Sequence, residues 1–245
     1  MPLPHPNVNS KLFHHLAPNP DPAKRDGASL AVVAAGNVLE RAYLAIAETH
    51  DAQMANAMNT RATNLKRSAD LADGVIKRLN EQLEGFIKTI EGEAIALSAK
   101  AHAPLTLPKE PGSNYSATAQ QIRDYFRNLP PDQRQTRAMK AAQEGDTVTL
   151  GALLNAPGYL SGMDHVGGNT KFSQQQLLAQ AYREYHFAPE LQRIKALTQC
   201  LESINTGRDT VLRHNTELHP QAEIARTIKL DIAAKAAATK AEQFS

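Results

Sequence analysis

The sequence is short of several residue types, and each shortage narrows the class of protein. Its 245 residues contain one cysteine, Cys200, and no tryptophan, and aromatic residues make up only 5%. A single cysteine excludes an intrachain disulfide, which fits a reducing compartment. Ala, Leu, Gln, Glu and Lys dominate instead. These residues lose little side-chain entropy in a helix, so the composition favours thin helical bundles over a thick globular core.

An excess of charge of one sign is also missing. The chain has 27 basic and 25 acidic residues, for a net charge of +2. Basic and acidic residues are nearly balanced in every zone of the chain, whereas binding to phosphates needs a local basic excess. The composition therefore does not call for a nucleic-acid partner, although it leaves that role open.

Two kinds of targeting signal are lacking. The first 16 residues, MPLPHPNVNSKLFHHL, have no basic segment followed by an apolar run. No stretch approaches the 18 uninterrupted apolar residues that are typical of a membrane span. We therefore expect a protein that is cytoplasmic at synthesis, with no membrane span.

The first zone, residues 1–27, is a proline-rich N-terminal arm. It holds six of the 14 prolines, at positions 2, 4, 6, 18, 20 and 22. Proline fixes φ and removes a backbone donor, so this arm is predicted to be extended. Two alternatives stay open: the arm is disordered by itself, or it docks on a partner.

The second zone, residues 28–102, contains no proline and predicts one long stalk helix. Weak helix formers between Asn56 and Thr63 allow a break there. Apolar residues then alternate in steps of four and three, which is the heptad pattern of a coiled coil. This seam consists of Leu65, Ala69, Ala72, Ile76, Leu79, Leu83, Phe86 and Ile90. Its next step would land on Glu93, so the register shifts there.

The third zone, residues 103–187, predicts a small head of short helices. Their starts are expected at Ser116, after Pro130, at Asp146 or Thr147, and at Ser173. Helices this short are unstable alone and must bury apolar side chains against each other. The residues expected to form that core are Tyr125, Phe126, Leu150, Leu153, Leu154, Tyr159, Leu160 and Phe172.

The fourth zone, residues 188–245, predicts a returning stalk helix that ends near Pro220, then a C-terminal helix. Its seam is Leu191, Ile194, Leu197, Leu201, Ile204, Val211 and Leu218. Arg208 and Asn215 occupy seam positions in this register. A polar seam residue either fixes the register of a coiled coil or marks a fraying end, and the sequence favours neither.

Antiparallel pairing of the two seams hides both of them. The predicted fold is therefore all-α: an elongated antiparallel helical hairpin, or coiled-coil stalk, with a small helical head. Whether the seam closes within one chain or between chains stays open. The residues predicted to make protein–protein contacts are Leu65, Ile76, Leu79, Leu83, Phe86, Ile90, Leu197, Leu201, Ile204 and Val211.

Candidate chemistry is sparse. His214 and His219 are five residues apart, which does not suit a shared metal ligand on a helix, and no zinc-type spacing exists. Asp164–His165 lies in a glycine-rich stretch and is the most enzyme-like pair, but such residues more often satisfy turns. Cys200, beside seam residue Leu201, is expected to be a small buried residue. The sequence has no glycine-rich phosphate loop, so nucleotide binding is not expected. Taken together, these observations lead us to expect no cofactor, no metal and no enzyme activity.

One segment carries a resemblance. Residues 142–162 read AQEGDTVTLGALLNAPGYLSG. In the form EGD…TL…LL.AP.YLSG, this segment resembles uncharacterised helical proteins of tailed bacteriophages and prophages. The resemblance covers this segment alone. It implies a virion or assembly protein, and it supplies no catalytic residues.

The leading hypothesis is a non-enzymatic structural or assembly protein, with a tailed-phage virion component as one form of it. Such a protein would bind other subunits, either copies of itself or its neighbours in an assembly. A cytoplasmic adaptor or regulator that binds a host protein is the first alternative. A nucleic-acid-associated protein is the second, because Lys66, Lys77 and Lys88 recur every eleven residues. An enzyme built on Asp164 and His165 ranks last.

Overall fold

The computed structural model describes residues 4–103, 115–163 and 173–221, followed by 224–225, 228–230 and 232–233. Within these ranges every regular element is helical and no strand is present, which confirms the predicted all-α class. The α-helices are α1 (Ser10–Leu16), α2 (Gly27–Met54), α3 (Arg61–Ala101), α4 (Tyr115–Asn128), α5 (Pro131–Glu144), α6 (Thr147–Leu154), α7 (Gln174–His186) and α8 (Ala188–Leu218).

The chain divides into two compact units. Unit 1 comprises Met1–Ala94 and Lys195–Ser245, and unit 2 comprises Ile95–Ile194. Unit 1 contains α1, α2 and most of α3 and α8. Unit 2 contains α4 to α7 with the end of α3 and the start of α8. The predicted head, residues 103–187, falls inside unit 2.

The N-terminal arm is folded, which corrects the prediction of an extended segment. It forms a 3-10 turn at Pro6–Val8, helix α1 and a second 3-10 turn at Pro22–Lys24. Asn9 caps α1 by accepting the Lys11 N–H at 3.0 Å. Phe13 is fully buried, because its ring lies over Gly36 of α2, where an added Cβ would come within 2.5 Å of it. The prolines thus shape turns around one buried aromatic residue.

The single stalk helix predicted over 28–102 is two helices, α2 and α3. The break lies between Met54 and Arg61, within the range of weak helix formers. The Thr60 hydroxyl accepts the Thr63 N–H at 3.2 Å and so caps the start of α3. The Asn64 side chain donates to the Asn56 carbonyl at 2.7 Å, which closes the connection.

Helix α2 is the apolar centre of unit 1. Ala28, Val32, Leu39 and Ile46 are each no more than 1% exposed. Among the described helices, α2 alone is long and apolar enough to pass a membrane-span test, with a mean hydropathy of 1.5 over 18 residues. Half of that window is buried against the rest of the protein, as in the core helix of a globular protein.

Six of the eight predicted seam residues of α3 are buried, and part of this inner face also repeats every 11 residues. Ser68, Leu79 and Ile90 are spaced by 11 and are all buried, whereas Ile76 and Phe86 of the predicted heptad seam are only half-buried. Eleven residues make three turns of 3.67 residues, which suits a nearly straight helix better than a left-handed supercoil. This period also accounts for the register shift at Glu93. The heptad step after Ile90 falls on Glu93, whereas an 11-residue step from Leu83 falls on Ala94.

The predicted register of α8 is wrong at two positions. Cys200 and Gly207 are buried where the seam placed Leu201, which is half-buried, and Arg208, which is exposed. Gly207 is required because an added Cβ would lie 2.8 Å from a Leu39 methyl group and 3.0 Å from the Asn7 carbonyl oxygen. The Cys200 thiol donates to the Leu16 carbonyl at 3.2 Å. The small residues therefore face the core, and the larger neighbours turn outward.

Unit 2 is built from short helices with well-defined ends, close to the predicted ones. Ser173 and Gln176 form a reciprocal capping box at α7, and Asp146 caps α6 by accepting the Thr149 N–H. Gly145 ends α5 in the left-handed conformation, with φ 69°.

The core of unit 2 differs in part from the predicted one. It includes Phe126, Leu150 and Leu153, as predicted, with Ala138, Ala142, Met163 and Leu178. Tyr125 and Tyr159 are exposed instead, by 45% and 64%. Phe172 lies outside the described residues.

Candidate functional site

The predicted contact residues lie mostly inside unit 1. Leu65, Leu79, Leu83, Ile90, Leu197, Ile204 and Val211 are at most 5% exposed in the single chain. Ile76, Phe86 and Leu201 are half-buried. Helices of the same chain cover these seven buried residues, so in the single chain only the half-buried seam residues reach the surface.

A polar cluster lies among the buried apolar residues of unit 1. His219 is 2% exposed and Ser68 is fully buried. His219 Nδ1 donates to Asn215 Oδ1 at 2.8 Å, so its Nε2 is free of a proton and accepts from the Ser68 hydroxyl at 2.7 Å. His50 Nδ1 lies 3.4 Å from the same Nε2. The cluster thereby joins α2, α3 and the end of α8.

A second histidine packs near this cluster. His214 stacks on Tyr43 of α2, with ring centroids 4.1 Å apart and planes 20° from parallel. Burial lowers the pKa of His214 below its usual value of 6.5, although Glu217 opposes the shift. Burial also lowers the pKa of His219, and neighbouring His50 adds to that effect. Both imidazoles are therefore held in their neutral form at neutral pH.

The chain Ser68–His219–Asn215 has the bonding order of a serine nucleophile, its base and an orienting group. Ser68 is fully buried, however, so a substrate has no route to its hydroxyl. We assign the cluster a structural role, the joining of three helices by satisfied polar groups. Among the residues that the structure describes, no group of three His, Cys, Asp or Glu side chains could hold a metal ion.

A cavity of about 620 Å³ opens beside the cluster, at the connection between α2 and α3. Polar and apolar residues line it in nearly equal numbers, and the polar ones include His50, Asn56, Asn59, Asn64 and Glu217. Ile224, from the segment after Pro220, packs nearby against Leu65 and Ala69.

An apolar groove of about 220 Å³ runs between α2 and α3. One wall is Val38, Ala42 and Ala45 of α2, and the other is Val75 and Leu79 of α3. Arg41 and Arg78 stand at its rim, and both are exposed. Leu71, one turn before Val75 on α3, leaves 51% of its surface exposed. Apolar grooves between helices are one setting in which amphipathic helices bind.

The outer face of α3 repeats with the same 11-residue period as its inner face. Every residue of this outer face is exposed, and its members are Lys66, Asp70, Gly74, Lys77, Glu81, Gly85, Lys88 and Gly92. One repeat spans about 16 Å along the helix. Within the described part of the chain, none of these charged side chains takes part in an ion pair.

The other candidates from the sequence carry no site. Asp164 and His165 lie outside the described residues. Cys200 is buried, as expected for a small core residue. Asn215 binds His219 instead of marking a coiled-coil register, and Arg208 faces solvent. The sequence did not predict the pairing of Ser68 with His219. Its only signal there is a serine one residue before seam position Ala69.

Comparisons with known proteins add no relative. No protein-family model matches the sequence, and neither a curated protein nor a solved structure is similar to it at a significant level.

Proposed function

We propose that this chain is a non-enzymatic structural or assembly protein that binds other protein subunits through its helices. The observation that carries this proposal is the groove between α2 and α3. Its lining combines an apolar floor with two arginines, and the exposed Leu71 lies one helical turn before Val75 of that lining. Apolar anchors with arginine beside them are typical of the energetic centre of protein–protein interfaces.

The occupant that fits this groove is an amphipathic helix of another subunit. Its apolar side would cover Val38, Val75 and Leu71, and its acidic residues would face Arg41 and Arg78. Such a helix would complete a four-helix arrangement with the long helices of unit 1. An assembly protein of a phage particle is one form of this proposal, as the resemblance of residues 142–162 implies. In this proposal the antiparallel stalk supplies the rigid helices that present the groove.

Native mass spectrometry of the chain, alone and mixed with the products of adjacent genes, tests the proposal. We expect an assembly heavier than one chain, and we expect Leu71→Asp to weaken it at least tenfold, because a carboxylate would be buried against apolar side chains. The matched control is Leu30→Asp. Leu30 is similarly exposed, at 54%, but lies about two helical turns before Val38, the first groove residue of its helix, whereas Leu71 lies one turn before Val75.

Two outcomes would contradict the proposal. One is a chain that stays at its monomer mass in every mixture. The other is an assembly that Leu71→Asp and Leu30→Asp weaken equally, because the groove would then have no special part in it.

A further inference from the structure

We propose that two copies of this chain pair through the outer face of α3, with the two α3 helices antiparallel and a two-fold axis that crosses this face midway between Lys77 and Glu81, at the level of Leu79 along the helix. This inference rests on the proposed function, because it names a second copy of the chain as one of the bound subunits. It uses a different surface from the α2–α3 groove.

The glycines of the outer face are the first argument. Gly36 and Gly207, in the middle of α2 and α8, have Phe13 and Leu39 where an added Cβ would lie. In unit 1, then, these glycines mark close approach of another segment. At Gly74, Gly85 and Gly92 an added Cβ would meet nothing within 4 Å. A glycine inside a helix lowers helix stability relative to alanine. Close approach of a helix from another chain explains why glycine occupies these three positions.

The charges of the outer face are the second argument, because they select the partner. In each of the first two repeats a lysine is followed four residues later by an acid: Lys66 with Asp70, and Lys77 with Glu81. When two such helices run antiparallel about Leu79, Lys77 faces Glu81 of the second copy. By the same geometry Asp70 faces the second copy's Lys88. The two-fold axis makes each pair occur twice, so the surface is complementary to itself.

Other arrangements match the charges less well. In parallel pairing each lysine would face the same lysine of the second copy, which is repulsive. A nucleic acid would meet Asp70, Glu81 and Glu84 between the lysines, so phosphate neutralisation would be offset. At the flank of the antiparallel arrangement, Arg67 also lies beside the second copy's Glu91. Exposed ion pairs contribute little affinity one by one, but the two-fold axis repeats each of these pairs, so that together they hold the dimer and set its orientation and register.

Sedimentation velocity on the full chain tests the pairing. We expect a species of twice the 26.7 kDa chain mass at low ionic strength, which weakens as salt is added. Lys77→Glu and Glu81→Lys should each weaken it about tenfold, and the double variant K77E/E81K should restore it. Mixing the two single variants should also restore pairing, because opposite charges then face each other. Lys11→Glu, a reversal at an exposed lysine on α1, should leave the dimer unchanged.

The variant Gly85→Gln distinguishes a role of Gly85 in dimer contact from an effect on helix stability alone. The substitution should raise the thermal midpoint, because glutamine favours the helix more than glycine does. It should also weaken the dimer at least tenfold, because its side chain would stand between the two helices. A higher midpoint with unchanged dimerisation would contradict the pairing.

Further outcomes overturn the inference in distinguishable ways. A wild-type chain that is monomeric at low salt refutes it. If such a monomer still binds another subunit in a way that Leu71→Asp weakens, the proposed function stands and only the self-pairing fails. If Lys77→Glu instead abolishes binding to a DNA duplex, the face takes a nucleic acid and the pairing is wrong. If the double variant stays monomeric, the antiparallel register is wrong.

Discussion

Unit 2 satisfies the carbonyls at the ends of its short helices with side chains from neighbouring helices, whereas unit 1 joins three long helices through one buried cluster of side chains. In unit 2 the Arg134 guanidinium donates to the carbonyls of Phe126, Arg127 and Leu129 at the end of α4, and to that of Gly162. Every helix leaves its last carbonyls without partners in the helix, and short helices have a larger share of such groups. Side chains from neighbouring helices therefore supply the missing donors.

Two other side chains of unit 2 act in the same way. Gln175 donates to the carbonyl of Leu153, in the last turn of α6, and to that of Ala156, just beyond the helix. His186 Nε2 donates to the Ala142 carbonyl at 2.8 Å, near the end of α5. In unit 1 the central polar contact is His219 with Ser68 and Asn215, deep among apolar residues. The difference suggests that unit 2 depends on its end contacts for folding, and that unit 1 uses its cluster to fix how its helices align.

The largest expected effect is in unit 2. Arg134→Met should lower its free energy of unfolding by about 3 kcal/mol, because several partly buried carbonyls lose their donor. Urea unfolding followed by tyrosine fluorescence is a suitable measurement, since Tyr43 is the only tyrosine of unit 1. Arg137→Met, one turn away and exposed, is the control and should cost less than about 1 kcal/mol. Equal losses from both variants would contradict the role of Arg134 at the helix end.

A smaller effect is expected in the cluster of unit 1. Ser68→Ala should lower the free energy of unfolding by about 1–2 kcal/mol, because the buried Nε2 of His219 loses its donor. Hydrogen exchange should show faster exchange in α2, α3 and α8, and no change in α5 or α7. Ser203→Ala is the control, because that hydroxyl bonds only to the Gln199 carbonyl of its own helix. Faster exchange throughout both units would mean that the cluster does not act locally.

The smallest effect concerns pH. The pKa values of His214 and His219 are lowered by burial, so below about pH 6.5 the unfolded chain binds more protons than the folded one. Stability of unit 1 should therefore be full above that pH and fall as the pH drops toward the folded-state values. His50 and His5 add to this effect, and Asp73 and Glu217 oppose it.

Thermal unfolding at pH 7.5 and pH 5.5 checks this expectation. His219→Gln should reduce the difference between the two pH values, because one of the two shifted groups is removed. A midpoint in unit 1 that rises on acidification would contradict the stated direction.

Much of the fold follows from local signals in the sequence. Ser173, Asp146, Pro131 and Gly145 mark helix ends of unit 2, and each acts through neighbours in the chain. The break before Arg61 follows equally from weak helix formers. The candidate surfaces are less visible in the sequence, because a groove needs two helices and a periodic pattern does not say which helix covers which face.

The sequence alone determined the helical class, the ends of the short helices and the charge repeat on α3, because these depend on residues within a few turns of each other. Only the tertiary structure decided which face of each long helix is buried. The sequence pattern placed Arg208 and Leu201 in the core of unit 1, but Gly207 and Cys200 lie there instead. The reason is that Leu39 and the N-terminal segment leave room only for small residues. In the same way, the proline-rich arm packs onto that core through Phe13, because Gly36 leaves space for the Phe13 ring.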